Sequence, residues 1–183
     1  TSTIPHGKVL EMNLSKAKEL PGVHTILTCL DTKQVWSGGD QTHERLVFTD
    51  HVRFVGDVIG AVAAEDRSTA EEAAMLVEVE DEEYEPVCTI EDAIKPDAQQ
   101  LYEGGNAVRP IKYGRGDIDA LMKESDVIYE DDYKTTRVHN AQLEPASSLS
   151  WWEGDKVTVV APTQGITLCR TILSKDLNLP PEK

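Results

Sequence analysis

The sequence has 183 residues and a formal net charge of -15, with 39% hydrophobic and 28% charged residues. This composition is typical of a globular protein with a core, and no apolar run approaches the ~20 residues that cross a bilayer. The acidic balance argues against binding to nucleic acid or to an anionic membrane surface, so we expect neither as a partner.

The three cysteines, Cys29, Cys88 and Cys169, lie far apart in the sequence. This spacing excludes a C-x-x-C metal motif within the chain, and a sparse, odd count favours a reducing cytoplasm. Because the chain starts at Thr1 with neither a methionine nor a basic leader, we expect it to be a piece of a longer gene product.

The N-terminal part of the chain predicts a strand over Gly7–Asn13, a short helix over Leu14–Leu20 and a strand over Val23–Leu30. A polar, Gly-rich stretch from Asp31 to Glu44 then indicates a loop. Its Asp40-x-x-His43-Glu44 sequence has metal-ligand chemistry, but no second histidine at helical spacing accompanies it, so a metal site is not favoured.

The middle of the first module predicts a strand, a helix and a second strand. The apolar run Phe54–Ala64 predicts a buried central strand, in which Gly56 and Gly60 would mark a bulge or a close backbone approach. Asp66–Met75 predicts a helix that is capped by Ser68.

A run of mostly acidic residues, Glu78–Glu85, follows the start of the next strand at Val77. Charge along a strand edge prevents edge-to-edge aggregation, so the run predicts a solvated edge strand. Two other interpretations stay open, a cation site and a contact surface for another protein.

A stretch rich in Pro, Gly, Asn and Gln, Pro96–Gly116, comes after a helical turn at Glu91–Ile94 and marks a connection between two modules. We place the boundary near Gly104, which gives a first domain of residues 1–104 and a second of residues 105–183.

The second module predicts a helix over Asp117–Glu124 with Asp117 as its cap, and a long polar strand over Val127–Val138. A hairpin should fold at Glu153–Asp155, and its second strand should stop at Pro162, which cannot donate to a ladder. These elements and those of the first module predict two α+β modules, since the helices are too short for regular crossovers.

The junction after Pro162 is the candidate site. Thr163 is a good N-cap, and the spacing of apolar residues predicts a helix through Leu177. Gln164 would then lie in the first turn, where its uncharged amide stands beside unpaired N–H groups at the positive end of the helix dipole. Such a place suits an anion or the oxo group of a cofactor, although a solvent-exposed polar residue is the plain alternative.

A turn with His139 and Glu144 precedes the hairpin. The histidine favours a partly buried structural role, and the glutamate could bond to the backbone of the turn. A hydrolase that uses both residues is disfavoured because no nucleophile with an orienting partner accompanies them. The sequence also lacks a G-x-x-x-x-G-K-[ST] loop and a G-x-S-x-G elbow.

Several short motifs in a fixed order resemble the large, molybdenum-bearing subunit of the xanthine dehydrogenase and aldehyde oxidase family. They are Pro5–Val9, Leu20–Val23, Arg53–Ala64, Ala70–Ala74, Val79–Glu82, Gly116–Asp119, His139–Pro145 and Pro162–Gln164. The resemblance covers almost the whole chain, with Asp81 standing where an aromatic residue is usual in the family.

The resemblance implies an α/β-hammerhead domain up to about Gly104, followed by the beginning of a molybdopterin-binding domain. It places Gln164 as a cofactor-binding residue next to the oxo ligand on molybdenum, while His139 and Glu144 match positions that support the local fold. No catalytic residue and no metal-ligating residue of the chain is implied.

The implied reaction is hydroxylation of an aldehyde or an N-heterocycle with oxygen from water, and the electrons leave through iron-sulphur clusters and FAD on partner subunits or domains. The partners would be the remainder of the large subunit, iron-sulphur and flavin subunits, and a small-molecule substrate. In the family the G-G-x-F-G segment and the base lie after the position of Lys183, so we expect these 183 residues alone to hold no cofactor and to be inactive. A free-standing, non-catalytic hammerhead module for binding or assembly is the alternative function.

Overall fold

The computed structural model describes residues 1–32, 36–37, 45–102, 104–107, 113–136, 138–144 and 146–183. Contacts divide the chain into one unit of residues 1–108 with 165–183 and another of residues 109–164. The predicted loop that carries Asp40, His43 and Glu44 lies outside the described residues at those three positions.

Short strands and helices alternate along the chain. The strands are β1 (Gly7–Asn13), β2 (Val23–Thr28), β3 (Trp36–Ser37), β4 (Arg45–Leu46), β5 (His51–Val52), β6 (Gly60–Ala64), β7 (Glu78–Glu83), β8 (Leu149–Glu153) and β9 (Lys156–Val160). The helices are α1 (Ser15–Glu19), α2 (Arg67–Met75), α3 (Ile90–Ala93), α4 (Ile118–Glu124) and α5 (Ile166–Asp176). This mixture confirms the predicted α+β class.

The first unit is built from small antiparallel sheets. One has the order β5-β1-β7, and two-stranded sheets join β2 to β6 and β3 to β4. As predicted, β7 is an edge strand: it pairs only with β1 among the described strands, and most of its acidic side chains are exposed. Lys16 of α1 pairs with Glu78 at the start of this edge.

Two small clusters of buried side chains form the core of the first unit. In one cluster, Val9 and Val52 pack with Ile59 and Cys29. In the other, Ala17 of α1 and Ala73 of α2 pack with Ile26 of β2. Burial raises the pKa of the Cys29 thiol to about 11, so this cysteine is a core residue and not a nucleophile.

The contact between α1 and α2 leaves no room for a larger side chain, because Ala17 and Ala73 are both completely buried. We expect Ala73→Leu to reduce the free energy of unfolding by about 1–3 kcal/mol through overpacking. Urea unfolding of the 183-residue chain would measure this. Ala74→Leu on the exposed side of α2 is the control, and an equal effect of the two variants would contradict the packing argument.

The predicted buried strand over Phe54–Ala64 is wrong in its first half. Only Gly60–Ala64 form a strand, β6, and Phe54–Asp57 form a turn in which Asp57 N–H donates to the Phe54 carbonyl at 3.1 Å. Gly56 has a φ of 97° in this turn, which breaks an extended backbone, and Val55 is 63% exposed. At Gly60 the predicted close approach is confirmed, since an added Cβ would lie 2.6 Å from the Leu27 carbonyl oxygen.

The cap of α2 also differs from the prediction. Asp66, not Ser68, is the N-cap, and its Oδ1 accepts a hydrogen bond from Thr69 N–H at 2.9 Å. The Ser68 hydroxyl donates to the same carboxylate, which, with the Thr69 bonds, lowers the pKa of Asp66. Asp66, Ser68 and Thr69 are all residue types that can cap a helix, and the aspartate takes the role because its side chain reaches the N3 amide.

The second unit contains α4 and the hairpin of β8 and β9. As predicted, Asp117 caps α4 by accepting from Ala120 N–H at 3.0 Å, and Gly154 takes the hairpin turn with a φ of 65°. The predicted strand over Val127–Val138 is wrong: residues 127–136 and 138 are exposed and non-strand, because no described strand lies beside them to form a ladder.

No described residue of the second unit, over 113–136, 138–144 and 146–164, is fully buried. Large apolar side chains such as Leu149 and Trp152 are 65% and 57% exposed. Such a segment does not bury enough apolar surface to form a core by itself. In the described part of the chain, no helix is both long enough and apolar enough to cross a membrane.

Candidate functional site

The strand-to-helix junction that carries Gln164 is present in the structure. Strand β9 ends at Val160, and α5 starts at Ile166, with Gly165 as its N-cap. The first helical hydrogen bond runs from Cys169 N–H to the Gly165 carbonyl at 2.9 Å. The predicted order of strand and then helix is therefore confirmed.

The predicted cap at Thr163 is wrong by two residues, because Gly165 takes this position and no side-chain hydrogen bond caps α5. Glycine is tolerated at an N-cap, so the helix can begin after it. Gln164 thus precedes the N-cap and does not lie in the first turn. Its side chain is exposed.

The junction has the electrostatic character of an anion-binding helix start. The helix dipole favours negative charge at this end of α5. Gln164 adds an amide with two donors and no formal charge. Gln164 is exposed in the part of the chain that the structure describes.

The turn with His139 and Glu144 has a structural arrangement. Ala141 has a φ of 49°, and its N–H donates to His139 Nδ1 at 2.9 Å. Because Nδ1 accepts this bond, His139 braces the turn, which agrees with a structural role. The prediction that it is partly buried is wrong, since the side chain is exposed. A shallow cavity of about 460 Å³ lies over Val138, His139, Asn140 and Gln142.

The hydrolase interpretation gains no support from this turn. The structure records no hydrogen bond between His139 and Glu144 among the described residues, and Glu144 is exposed. Nor do the described residues contain a group of three or more His, Cys, Asp and Glu side chains able to hold a metal ion. The cation-site interpretation of Glu78–Glu85 therefore has no support either.

A pair of histidines that sequence reasoning missed connects the residue before β1, the strand β5 and the segment after β7. His6 is 1% exposed, its Nδ1 lies 3.0 Å from the Glu85 carbonyl oxygen, and its Nε2 lies 3.2 Å from His51 Nε2. Since a carbonyl only accepts, His6 Nδ1 carries the proton and His6 Nε2 accepts from His51. The Tyr84 ring packs edge-on against His6, with the centroids 5.4 Å apart.

The contact between His6 and His51 should make the stability of the first unit depend on pH. Burial, followed by the Arg53 guanidinium and by His6, lowers the pKa of His51. A lowered pKa means that the unfolded chain takes up the proton first as the pH falls below about 6.5. The stability contributed by neutral His51 is therefore complete above this pH and is lost as the pH falls through the lowered pKa of the folded state.

We expect the melting temperature of the chain to fall between about pH 7 and about pH 5, above the range in which carboxylates titrate. His51→Asn should have a flatter profile over this range, whereas exposed His24→Asn should keep the wild-type slope. Equal slopes for the wild type and His51→Asn would show that this histidine does not carry the effect.

Two family models match the chain. Residues 1–85 match the a/b hammerhead domain of aldehyde oxidase and xanthine dehydrogenase, and residues 100–183 match the molybdopterin cofactor-binding domain. The first range ends at residue 85 and the second starts at residue 100, so the domain boundary near Gly104 stays a prediction.

Relatives and solved structures agree with these models. The chain is 31% identical over 191 residues to the xanthine dehydrogenase molybdenum-binding subunit of Escherichia coli O157:H7, with 98% of the chain and 25% of that protein covered. It is 32% identical over 187 residues to the nicotinate dehydrogenase large molybdopterin subunit of Eubacterium barkeri, with 100% of the chain and 43% of that protein covered. The fold matches quinoline 2-oxidoreductase from Pseudomonas putida 86 with a TM-score of 0.84 at 24% identity, over 99% of the chain and 25% of that structure.

A hammerhead domain that is followed by a molybdopterin cofactor-binding sequence defines a class of molybdenum-dependent oxidoreductases. The chain spans about a quarter to less than half of the length of these curated relatives. It belongs to the xanthine dehydrogenase and aldehyde oxidase family.

Proposed function

We propose that this chain is part of the molybdenum-bearing large subunit of an oxidoreductase that hydroxylates an aldehyde or an N-heterocycle with oxygen from water. The observation that carries the proposal is the match of residues 100–183 to the molybdopterin cofactor-binding domain. The junction at Gln164, inside this match, supports it with donors that suit an oxygen-rich cofactor.

The residues of the junction could make one of the contacts that such a cofactor needs. Gln164 would donate an amide N–H to a cofactor oxygen, and the start of α5 would stabilise negative charge beside it. When bound, the molybdenum cofactor supplies the two-electron oxidation and activates the water-derived oxygen. Because Gln164 bears no charge, it orients and stabilises but transfers no proton.

Residues outside this chain would have to complete the site. The second unit has no fully buried residue among those described, so further polypeptide is needed to form a closed pocket. We propose that this is the remainder of the large subunit, and that iron-sulphur and flavin subunits or domains accept the electrons. The three free cysteines agree with a cytoplasmic location.

The reaction can be tested with the full-length protein, purified with any co-expressed subunits. A substrate panel should include aldehydes, xanthine and nicotinate, the last two suggested by the names of the relatives. In water labelled with oxygen-18 we expect one labelled oxygen in the product of at least one substrate. Product oxygen that comes from dioxygen would contradict the proposed chemistry, and so would the absence of turnover with cofactor-loaded protein across the panel.

A binding or assembly module is the second candidate, favoured by the exposed acidic edge of β7. If this edge binds a partner, reversing two of its charges with Glu80→Lys and Glu82→Lys should abolish capture of that partner. If the protein is an enzyme, the same variant should keep its turnover. Full turnover of the cofactor-loaded variant would count against a purely non-catalytic role.

A further inference from the structure

Contacts and family matches divide the chain at different places. Residues 100–183 match the molybdopterin cofactor-binding domain, yet contacts place residues 100–108 in the first unit. Arg53, which lies in the range matched to the hammerhead domain, contacts two residues of this shared stretch. The start of the second match therefore has an anchor in the first unit, which sequence reasoning did not find.

The Arg53 guanidinium joins the shared stretch to strand β5. Its Nε donates to the Leu101 carbonyl at 2.6 Å, and its Cζ lies over the Tyr102 ring, 4.9 Å from the centroid. Its Nη1 donates to the His51 carbonyl of β5 at 3.0 Å. A planar guanidinium can hold two carbonyls while it stacks on an aromatic face, and a lysine ammonium cannot.

The backbone of Arg53 is fixed by its neighbours. Arg53 N–H donates to Asp57 Oδ2 at 3.2 Å, across the turn that follows β5. The preceding residue, Val52, is completely buried in the core of the first unit. The first unit thus holds the guanidinium in place independently of the shared stretch.

A single asparagine closes the shared stretch into a loop. Asn106 Oδ1 accepts from Leu101 N–H at 2.8 Å, while its Nδ2 donates to the Gln99 carbonyl at 2.9 Å and to the Ala93 carbonyl at 3.2 Å. The last bond ties the loop to the end of α3. We call residues 99–102 and 104–106 the anchored loop.

Polar contacts hold the anchored loop, since apolar burial contributes little. Of residues 86–102 and 104–107, none is fully buried, and Tyr102 is 38% exposed. Arg53 itself is partly buried, so its hydrogen bonds and its contact with the Tyr102 ring are stronger than those of an exposed arginine would be. Removing this one side chain should therefore have a local and large effect.

We propose that Arg53 is the interface residue by which the hammerhead domain positions the first residues of the cofactor-binding domain. Loss of its guanidinium releases the anchored loop from the first unit and leaves the core of that unit folded. The proposal is independent of the reaction, because it concerns only contacts within the first unit.

Amide hydrogen exchange in the full-length protein tests the proposal. Leu101 N–H and Gly105 N–H, which donates to the Tyr102 carbonyl at 2.9 Å, report on the anchored loop. In Arg53→Ala we expect both to exchange at least about tenfold faster than in the wild type. Cys29 N–H, which donates to the Ile59 carbonyl in the core, should keep its rate. Unchanged rates in the anchored loop would overturn the proposal, and so would equal acceleration at Cys29.

A lysine variant separates the guanidinium from its charge. Arg53→Lys should release the anchored loop almost as fully as Arg53→Ala, because an ammonium cannot bridge both carbonyls and stack on the ring. Arg67→Lys is the matched control, since the exposed Arg67 guanidinium bonds to Glu71 on the same helix. Its exchange rates should equal those of the wild type. Wild-type exchange in Arg53→Lys would overturn the role of the guanidinium.

Substitutions on the other side of the contact keep the test valid if the Arg53 variants do not fold. Tyr102→Phe retains the ring face beneath the guanidinium and should exchange at the wild-type rate at Leu101. Tyr102→Ala removes this face and should exchange about threefold faster or more at the same amide. Equal rates in these two variants would overturn the proposal.

Discussion

Replacing Gln164 by alanine in the full-length, cofactor-loaded enzyme is expected to lower kcat by about 10- to 100-fold. The substitution removes the amide donor that we place beside a cofactor oxygen and leaves α5 intact, since Gln164 precedes the N-cap Gly165. Molybdenum content should be measured on the same sample, so that the rate is expressed per loaded site. Gln164→Glu should lower the rate further, because a carboxylate would repel a negatively charged oxygen.

Gln100→Ala is the matched control, because Gln100 is also exposed but lies outside the junction. Its turnover per molybdenum should equal that of the wild type. A change of less than about twofold in the Gln164→Ala variant, with full molybdenum loading, would remove Gln164 from the proposed site.

Deleting all residues outside Thr1–Lys183 should abolish hydroxylation, which is the largest effect that we expect. The chain contributes one proposed cofactor contact, Gln164, and a pterin site requires several donors in a closed pocket. The second unit has no fully buried residue among those described, so it offers no such enclosure. The assay should use the substrate that the full-length protein oxidises best, with the same partner subunits present.

Folding of the shortened chain must be shown independently of its activity. The acid-sensitive melting that we attribute to His51 provides this check, because it reports on the first unit alone. A folded 183-residue chain that turns over at a rate near that of the full-length enzyme would show that these residues already contain a complete site.

Local patterns predicted the elements that are fixed by short-range chemistry. Asp117 caps α4 because its side chain reaches an amide three residues away, and Gly154 turns the hairpin because it tolerates a positive φ. The order of strand and helix around Gln164 follows in the same way from Pro162 and from helical spacing. These features need no information from distant parts of the chain.

Features that depend on distant neighbours were predicted less well. The His6–His51 pair joins the residue before β1 to β5, 45 residues along the chain, and neither residue carries a local signal of this contact. The predicted strand over Val127–Val138 had suitable residues but no described neighbour with which to pair. The apolar run around Gly56 favoured a strand, but the positive φ of this glycine produces a turn there.

The secondary structure around Gln164 was predictable from the sequence, whereas its role as a site residue stays a prediction. Sequence spacing located Gln164 beside the start of α5, but only the structure showed that the helix begins two residues later than expected and that the glutamine is exposed. Cofactor enclosure is a property of packing between segments, and most of the length of the relatives lies outside this chain.

The molybdenum content of the purified full-length protein tests the central claim most directly. Metal analysis after growth with added molybdate should find molybdenum in stoichiometric amount, together with a pterin that is released on denaturation. A correctly folded full-length protein that contains neither molybdenum nor pterin under these conditions would contradict the assignment of this chain to a molybdenum-bearing subunit.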